Sequence, residues 1–146
     1  MWKYKEKEIN NIEDMGDIVP FGFIYEVTHL PTGKKYIGRK QLISVTKKAL
    51  GKKELALITD KRSSKKKTVI KETDWKTYHG SHPEIKQLIK EKRHLEFTRE
   101  ILMFVPTKKQ LTYYEDKYLY TKGVIEPGSV YINDSISGRF FRKDLI

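Results

Sequence analysis

Apolar and polar residues are scattered over Met1 to Pro20 and fall into a regular pattern from Phe21 onward. Two runs of β-forming residues, Phe23-Ile24-Tyr25-Glu26-Val27 and Lys35-Tyr36-Ile37, flank Pro31-Thr32-Gly33, and that turn chemistry predicts a β-hairpin. The period of two puts Phe21, Phe23, Tyr25 and Val27 on one face. A tyrosine among large apolar groups must find a partner for its hydroxyl or open it to a cleft. Gly38 stands where the second strand should continue, which marks a bulge or a close approach. Arg39 and Lys40, directly after it, suit an anionic ligand.

The remaining pattern alternates between helix and strand. Thr73 to Ser81 is a tight aromatic segment carrying Trp75 and Tyr78, and it leads into a helix. Ser81 with Glu84 is a capping-box pattern, Pro83 fits the first turn, and Ile85, Leu88 and Ile89 form the apolar stripe. His82 in that first turn reads either as part of an anion site or as surface. Leu95 to Val105 is dense enough in apolar residues to be a central strand buried on both faces, with Arg99 as a phosphate clamp or one half of an edge salt bridge. Thr107 and Gln110 cap a second helix that runs to about Lys122, its inward stripe being Leu111, Tyr114 and Tyr118. Glu115 falls inside that stripe. A carboxylate there is costly unless a cation or several donors meet it, so it is either a ligand for a hard cation such as Mg²⁺ or Mn²⁺ or a partner of a lysine or tyrosine. Val130-Tyr131-Ile132 is a last short strand, and Asn133-Asp134-Ser135 an acceptor-rich turn. Gly138 to Ile146 joins Arg139 and Arg142 to Phe140 and Phe141, as a stacking clamp or a C-terminal anchor. Met1 to Pro20 reads as a lead-in on the sheet edge, with Trp2 and Tyr4 capping the core or free to stack on a base.

Composition narrows the function. The 30 basic and 19 acidic residues leave a net charge of +11, which favours a polyanionic partner, nucleic acid above all. Cysteine is absent, which excludes disulfides, thiolate zinc sites and a cysteine nucleophile. Neither a membrane-length apolar run nor a signal-peptide core is present, so a soluble, cytoplasmic protein is expected. The length suits one domain over 1–146. Within it, about 47–71 is a basic insertion whose centre, Asp60 to Thr68, has no apolar residue and is expected to be a mobile loop. Its cations, Lys47, Lys48, Lys52, Lys53, Arg62, Lys65, Lys66 and Lys67, contact phosphates without reading sequence or are merely solvated; Thr68-Val69-Ile70 returns to the core.

The pair Gly22-Phe23-Ile24-Tyr25 and Tyr36-Ile37-Gly38 resembles the signature of the GIY-YIG endonuclease family, with one extra phenylalanine before Ile24-Tyr25. The order of later parts is similar too: a helix, a central strand, a helix bearing one glutamate (Glu115), and an asparagine (Asn133) beside a last short strand. The resemblance spans Gly22 to about Gly138. The aromatic segment and basic insertion look like the phage-type branch with small stand-alone members. The implied fold is an α+β sandwich, a small, mostly antiparallel sheet of about three strands flanked by helices.

The resemblance implies metal-dependent hydrolysis of a DNA phosphodiester. Tyr25 would activate a water, Tyr36 and Tyr78 would position it, and Glu115 would hold one Mg²⁺ or Mn²⁺ ion, with Asn133 holding the Glu115 region together. The family's arginine has no obvious match, since Thr46 stands ten residues beyond Tyr36. Arg39, supported by Lys40, is therefore expected to face the scissile phosphate, with Arg62 and Arg99 as alternatives, and His82 or His79 takes the place of a histidine used by some members. DNA is the expected partner, with a second copy or a partner protein needed to cut both strands, in a bacterial or phage-infected cell. The competing reading is a nucleic-acid-binding protein that keeps the fold and no longer cuts.

Overall fold

The structure, a computed structural model, describes residues 1–58 and 65–146. The lead-in forms two short strands, β1 (Trp2–Tyr4) and β2 (Lys7–Ile9). The predicted hairpin follows as β3 (Gly22–His29) and β4 (Lys35–Gln41). Its turn places Gly33 at φ +71°, a region that disfavours a side chain, and the Gly33 N–H donates to the His29 carbonyl at 2.8 Å. Then come β5 (Ile43–Ala49), α1 (Lys52–Ala56), β6 (Lys66–Glu72), α2 (Pro83–Lys90), β7 (Phe97–Val105), α3 (Lys108–Thr121), β8 (Ser135–Ile136) and β9 (Phe140–Phe141).

The main sheet has the order β2-β1-β7-β3-β4, and every pairing is antiparallel except β1 with β7. The α+β class holds. The three expected strands are β7, β3 and β4, and the lead-in adds two more. The reason is Trp2. It is 1% exposed, its indole N–H donates to the Trp75 carbonyl at 2.7 Å, and its ring meets Phe23 and Tyr25 edge-on at 4.9 and 5.4 Å. An aromatic side chain with that much surface to bury draws its backbone into the sheet.

Each face of the sheet has its own core. One is largely aromatic: Trp2, Phe23, Tyr25, Val27, Trp75 and Ile101. The other lies under α3: Ile24, Ile37, Val105, Leu111, Leu119 and Val124. A bulge in β7 fits the strand to both, because Ile24 faces Met103 while Tyr25 faces Ile101, skipping Leu102. Leu102 and Met103 consequently both pack toward α3, and Ile101 and Phe104 toward the aromatic side. Phe21 departs from the predicted face. It precedes β3, so the strand's alternation does not govern it, and its ring packs on the α3 side.

Lys66, Lys67 and Thr68, at the end of the expected loop, belong to β6 instead. β5 and β6 pair in register from Ile43 opposite Glu72 to Ala49 opposite Lys66, forming a two-stranded ribbon. Thr68-Val69-Ile70 therefore stays in the ribbon instead of returning to the core, and Ile70 is 65% exposed. Arg62 and the centre of the predicted loop lie outside the described residues. At the C-terminus β9 pairs with β8, and the Arg142 guanidinium donates to the carbonyls of Asn133, Val124 and Tyr131. That ties the tail down as an anchor and engages the Nε and Nη2 of Arg142 with backbone carbonyls, whereas Arg139 is exposed.

Trp2→Ala should lower stability by about 3–5 kcal/mol, the usual cost of truncating a buried aromatic. Urea unfolding followed by circular dichroism measures this, and a lead-in that merely rests on the surface would lose under about 0.5 kcal/mol.

Candidate active site

Tyr25 and Tyr36 stand on neighbouring strands, Tyr25 opposite Gly38. A Cβ built on Gly38 would lie 2.4 Å from the Tyr25 hydroxyl, 2.7 Å from its ring and 3.0 Å from the Tyr36 ring. Only hydrogen fits there. The close approach foreseen at Gly38 is thus made by a phenol of the same protein, and the bulge lies in β7. The Tyr25 ring meets the Tyr78 ring edge-on at 6.0 Å, and the Tyr36 hydroxyl bonds to the Ser81 hydroxyl at 2.9 Å. Burial holds the Tyr25 phenol well above its ordinary value of 10.0, helped by Tyr36, Tyr78 and the Glu115 charge. Burial raises Tyr36 as well, partly offset by Ser81 and reinforced by Tyr78, Glu115 and Asp134.

Glu115 comes from the opposite face of the sheet. α3 begins as predicted, with the Thr107 hydroxyl accepting from the Gln110 N–H at 3.1 Å, and buries Leu111 and Leu119 on its inner stripe. Between them Glu115 reaches the open edge of β4. There the Arg39 charge acts on its carboxylate, while the Arg39 Nε lies 3.9 Å away, beyond hydrogen-bond reach. Burial raises the Glu115 carboxyl above its usual range against the pull of Arg39. The Arg39 guanidinium itself donates to Thr112, at 2.6 Å and one turn before Glu115 on α3. The two faces therefore meet around the rim of β4, where the carboxylate is close enough for its charge to act on both phenols.

Asn133 keeps that rim in shape. The segment before it pairs with β4, Lys35 N–H to the Val130 carbonyl at 3.0 Å and Ile132 N–H to the Lys35 carbonyl at 2.8 Å. The Asn133 side-chain amide then continues the ladder, accepting from the Ile37 N–H at 3.1 Å and donating to the Ile37 carbonyl at 2.8 Å. It satisfies the edge up to the residue before Gly38.

Other expected residues fall in different places. Lys40 sits 4.0 Å over the Tyr78 ring and pairs with Asp74 at 2.6 Å, so it braces the aromatic segment. Arg99 is 6% exposed and neither clamp nor salt bridge: it donates to the carbonyls of Lys76 and Tyr78 and stacks on Trp2 at 4.6 Å. It holds the loop that carries Tyr78. His82, not Ser81, caps α2, its Nδ1 accepting from the Glu84 N–H at 3.2 Å. Its Nε2 lies 3.2 Å from Asp134, an ion-pair distance, yet the geometry leaves it without a hydrogen bond. Burial and the nearby Arg99 hold the His79 ring down at about 4. Ser81 and Thr112 were not foreseen as site residues. Thr112 carried a signal, since three residues before Glu115 on a helix is the same face, whereas the Ser81 contact spans 45 positions and has none.

A family profile described as "Putative endonuclease segE, GIY-YIG domain" matches residues 2–136. The chain belongs to this GIY-YIG family. No curated protein and no solved structure matches it. Membership in the GIY-YIG family points to nuclease activity on DNA, in a family that uses divalent metal ions. Among the described residues no helix is long and apolar enough to cross a membrane, and no three His, Asp or Glu side chains gather as a ready-made cage. A single carboxylate does suit Mg²⁺, which binds proteins through one or two carboxylates and completes its shell with water and phosphate. Glu115 fits: it is four-fifths buried, and its nearest cationic nitrogen is too far to bond.

Gly38→Ala should fold less stably and lose activity at least about a hundredfold, since the new methyl must displace the Tyr25 phenol; stability and DNA nicking measured together check this. Because buried phenols stay protonated while the unfolded chain ionises, stability should fall as pH rises above the ordinary value of 10.0. Absorbance at 295 nm should show incomplete tyrosine ionisation at about pH 11 that completes in urea.

Proposed function

We propose that the chain is a divalent-metal-dependent DNA endonuclease whose reaction centre is the rim of β4. The observation that carries this reading is the meeting of Glu115, Arg39 and the two phenols around Gly38, although the carboxylate and the rings start from opposite faces of the sheet. Glu115 would hold one Mg²⁺ or Mn²⁺ ion, which when bound supplies charge stabilisation at the phosphate and acidifies a water. Arg39 is exposed beside Glu115, and its guanidinium can exchange Thr112 for a phosphate oxygen to neutralise charge that grows in the transition state.

The environment argues for a particular division of labour between the tyrosines. Tyr25 is 1% exposed and no cation bonds its hydroxyl, so it serves better as a neutral phenol that fixes the network than as the base expected from the sequence. Tyr36 is partly exposed and bonded only to Ser81 through its hydroxyl, and it is the phenol placed to orient the attacking water. The surplus of +11 supplies non-specific attraction to the DNA backbone.

Wild type should nick supercoiled plasmid with Mg²⁺, and EDTA should abolish nicking. Glu115→Gln should reduce the rate by about a hundredfold or more while DNA binding persists. Tyr36→Phe should lose more activity than stability, and Tyr25→Phe both. Absence of nicking by wild type with Mg²⁺ or Mn²⁺, with binding retained, would replace this reading with that of a binder that keeps the fold.

A further inference from the structure

The β5–β6 ribbon emerges directly from the rim just described. Its first strand begins four residues after Arg39, and its second ends two residues before Asp74, the partner of Lys40. Its base is fastened to the core. The Leu42 N–H donates to the Phe21 carbonyl at 2.9 Å, Thr73 closes back on Leu42 at 2.9 Å and on Gln41 at 2.6 Å, and the Trp75 indole donates to Glu72 at 2.7 Å. Beyond this base the ribbon stands away from both cores, and nearly every residue of its outer part is exposed.

Its composition is unlike that of an edge left idle in water. The two strands hold five lysines against one glutamate. One face carries Lys48 and Lys71 with the hydroxyls of Ser44 and Thr46. The other carries Val45 directly opposite Ile70, 52% and 65% exposed, followed by Lys47 opposite Thr68. Lys47, Lys48 and Lys71 make no ion pair among the described residues, while Lys67 is held by Glu54 at 2.6 Å. Two β-branched apolar side chains presented to solvent between lysines suit a surface that is dry only when docked, and the charge selects a polyanion.

We infer that this ribbon enters the major groove of duplex DNA and sets where cleavage falls. The inference rests on the nuclease reading for its consequence, not for the binding. The major groove, about 12 Å wide, admits a two-stranded ribbon whose strands lie about 4.8 Å apart. Seven residues at about 3.4 Å each give an arm of about 23 Å, which reaches about seven base pairs from the rim. Val45 and Ile70 meet thymine methyls, Thr68 and Lys47 meet polar base edges, and Lys48 and Lys71 on the outer face take phosphates. The ribbon thereby reads sequence, where a mobile basic loop would only add charge.

Binding is measured by fluorescence anisotropy in the Glu115→Gln background, on a labelled 30-base-pair duplex and its single strand, across a series of KCl concentrations. The triple variant Lys47→Ala/Lys48→Ala/Lys71→Ala should bind the duplex at least about tenfold more weakly at 0.1 M salt and reduce the salt slope by about 2–3. The pair Val45→Ser/Ile70→Ser should leave that slope unchanged and, in the chain with Glu115 intact, spread nick positions over more sequences. Guanine N7 methylation should interfere within about seven base pairs of the nick. The proposal is overturned if both variants bind with the wild-type slope and nick preference, if interference maps to the minor groove alone, or if the variants change only the oligomeric state in light scattering, which would make the ribbon a contact between copies. Thermal unfolding verifies that the variants fold. Should the Glu115→Gln chain show ribbon-dependent interference while wild type never nicks, the nuclease reading fails and the groove contact stands; wild-type nicking indifferent to the ribbon gives the reverse.

Discussion

A phenol lying where a side chain would otherwise be is the constraint from which the rest follows. With Tyr25 across Gly38, the strand at that point can carry nothing larger than hydrogen, and the second phenol closes against the same spot. Backbone, two rings and a loop from residue 78 are thereby locked at one edge of the sheet. Arg99 and Trp2 secure the loop from behind, so a cation buried at the middle of the sheet stabilises a site it never touches.

The electrostatics of that edge are unresolved by the protein's own groups. Glu115 raises both phenols, and burial raises all three. Arg39 offsets only part of this, at 3.9 Å and from a half-exposed position where its attraction is screened. One positive charge placed among these groups would favour the ionised form of each. A site built this way is better matched to a charged visitor than to water alone.

Much of this was legible from residues. The hairpin followed from Pro31-Thr32-Gly33 and flanking β-formers, α3 from the Thr107 cap and the Leu111 stripe, and the largely buried place of Glu115 from its position inside that stripe. What failed shares a physical cause, since local patterns cannot see distant partners. The strand around Trp2 escapes the pattern because the acceptor that fixes its ring, on Trp75, is 73 positions away. Arg99 looked exposed or ion-paired because carbonyls from a loop have no sequence signature. Lys66 to Thr68 read as loop because lysines mask the alternation of the strand they belong to. Asp60 to Thr68 holds no apolar residue, so composition outweighed the β-branched Thr68.

The fastening at Thr73 and Leu42 has an evolutionary consequence. The ribbon leaves and rejoins the main sheet at one hydrogen-bonded base, where Ile43 packs against the aromatic core, and the five strands of that sheet pair without it. Lengthening or recoding such an excursion costs only the slow logarithmic growth of loop-closure entropy, with no repacking of either core. The outer surface of the ribbon can then diverge rapidly between descendants while the rim of β4 stays still, so that one scaffold can carry many different arms.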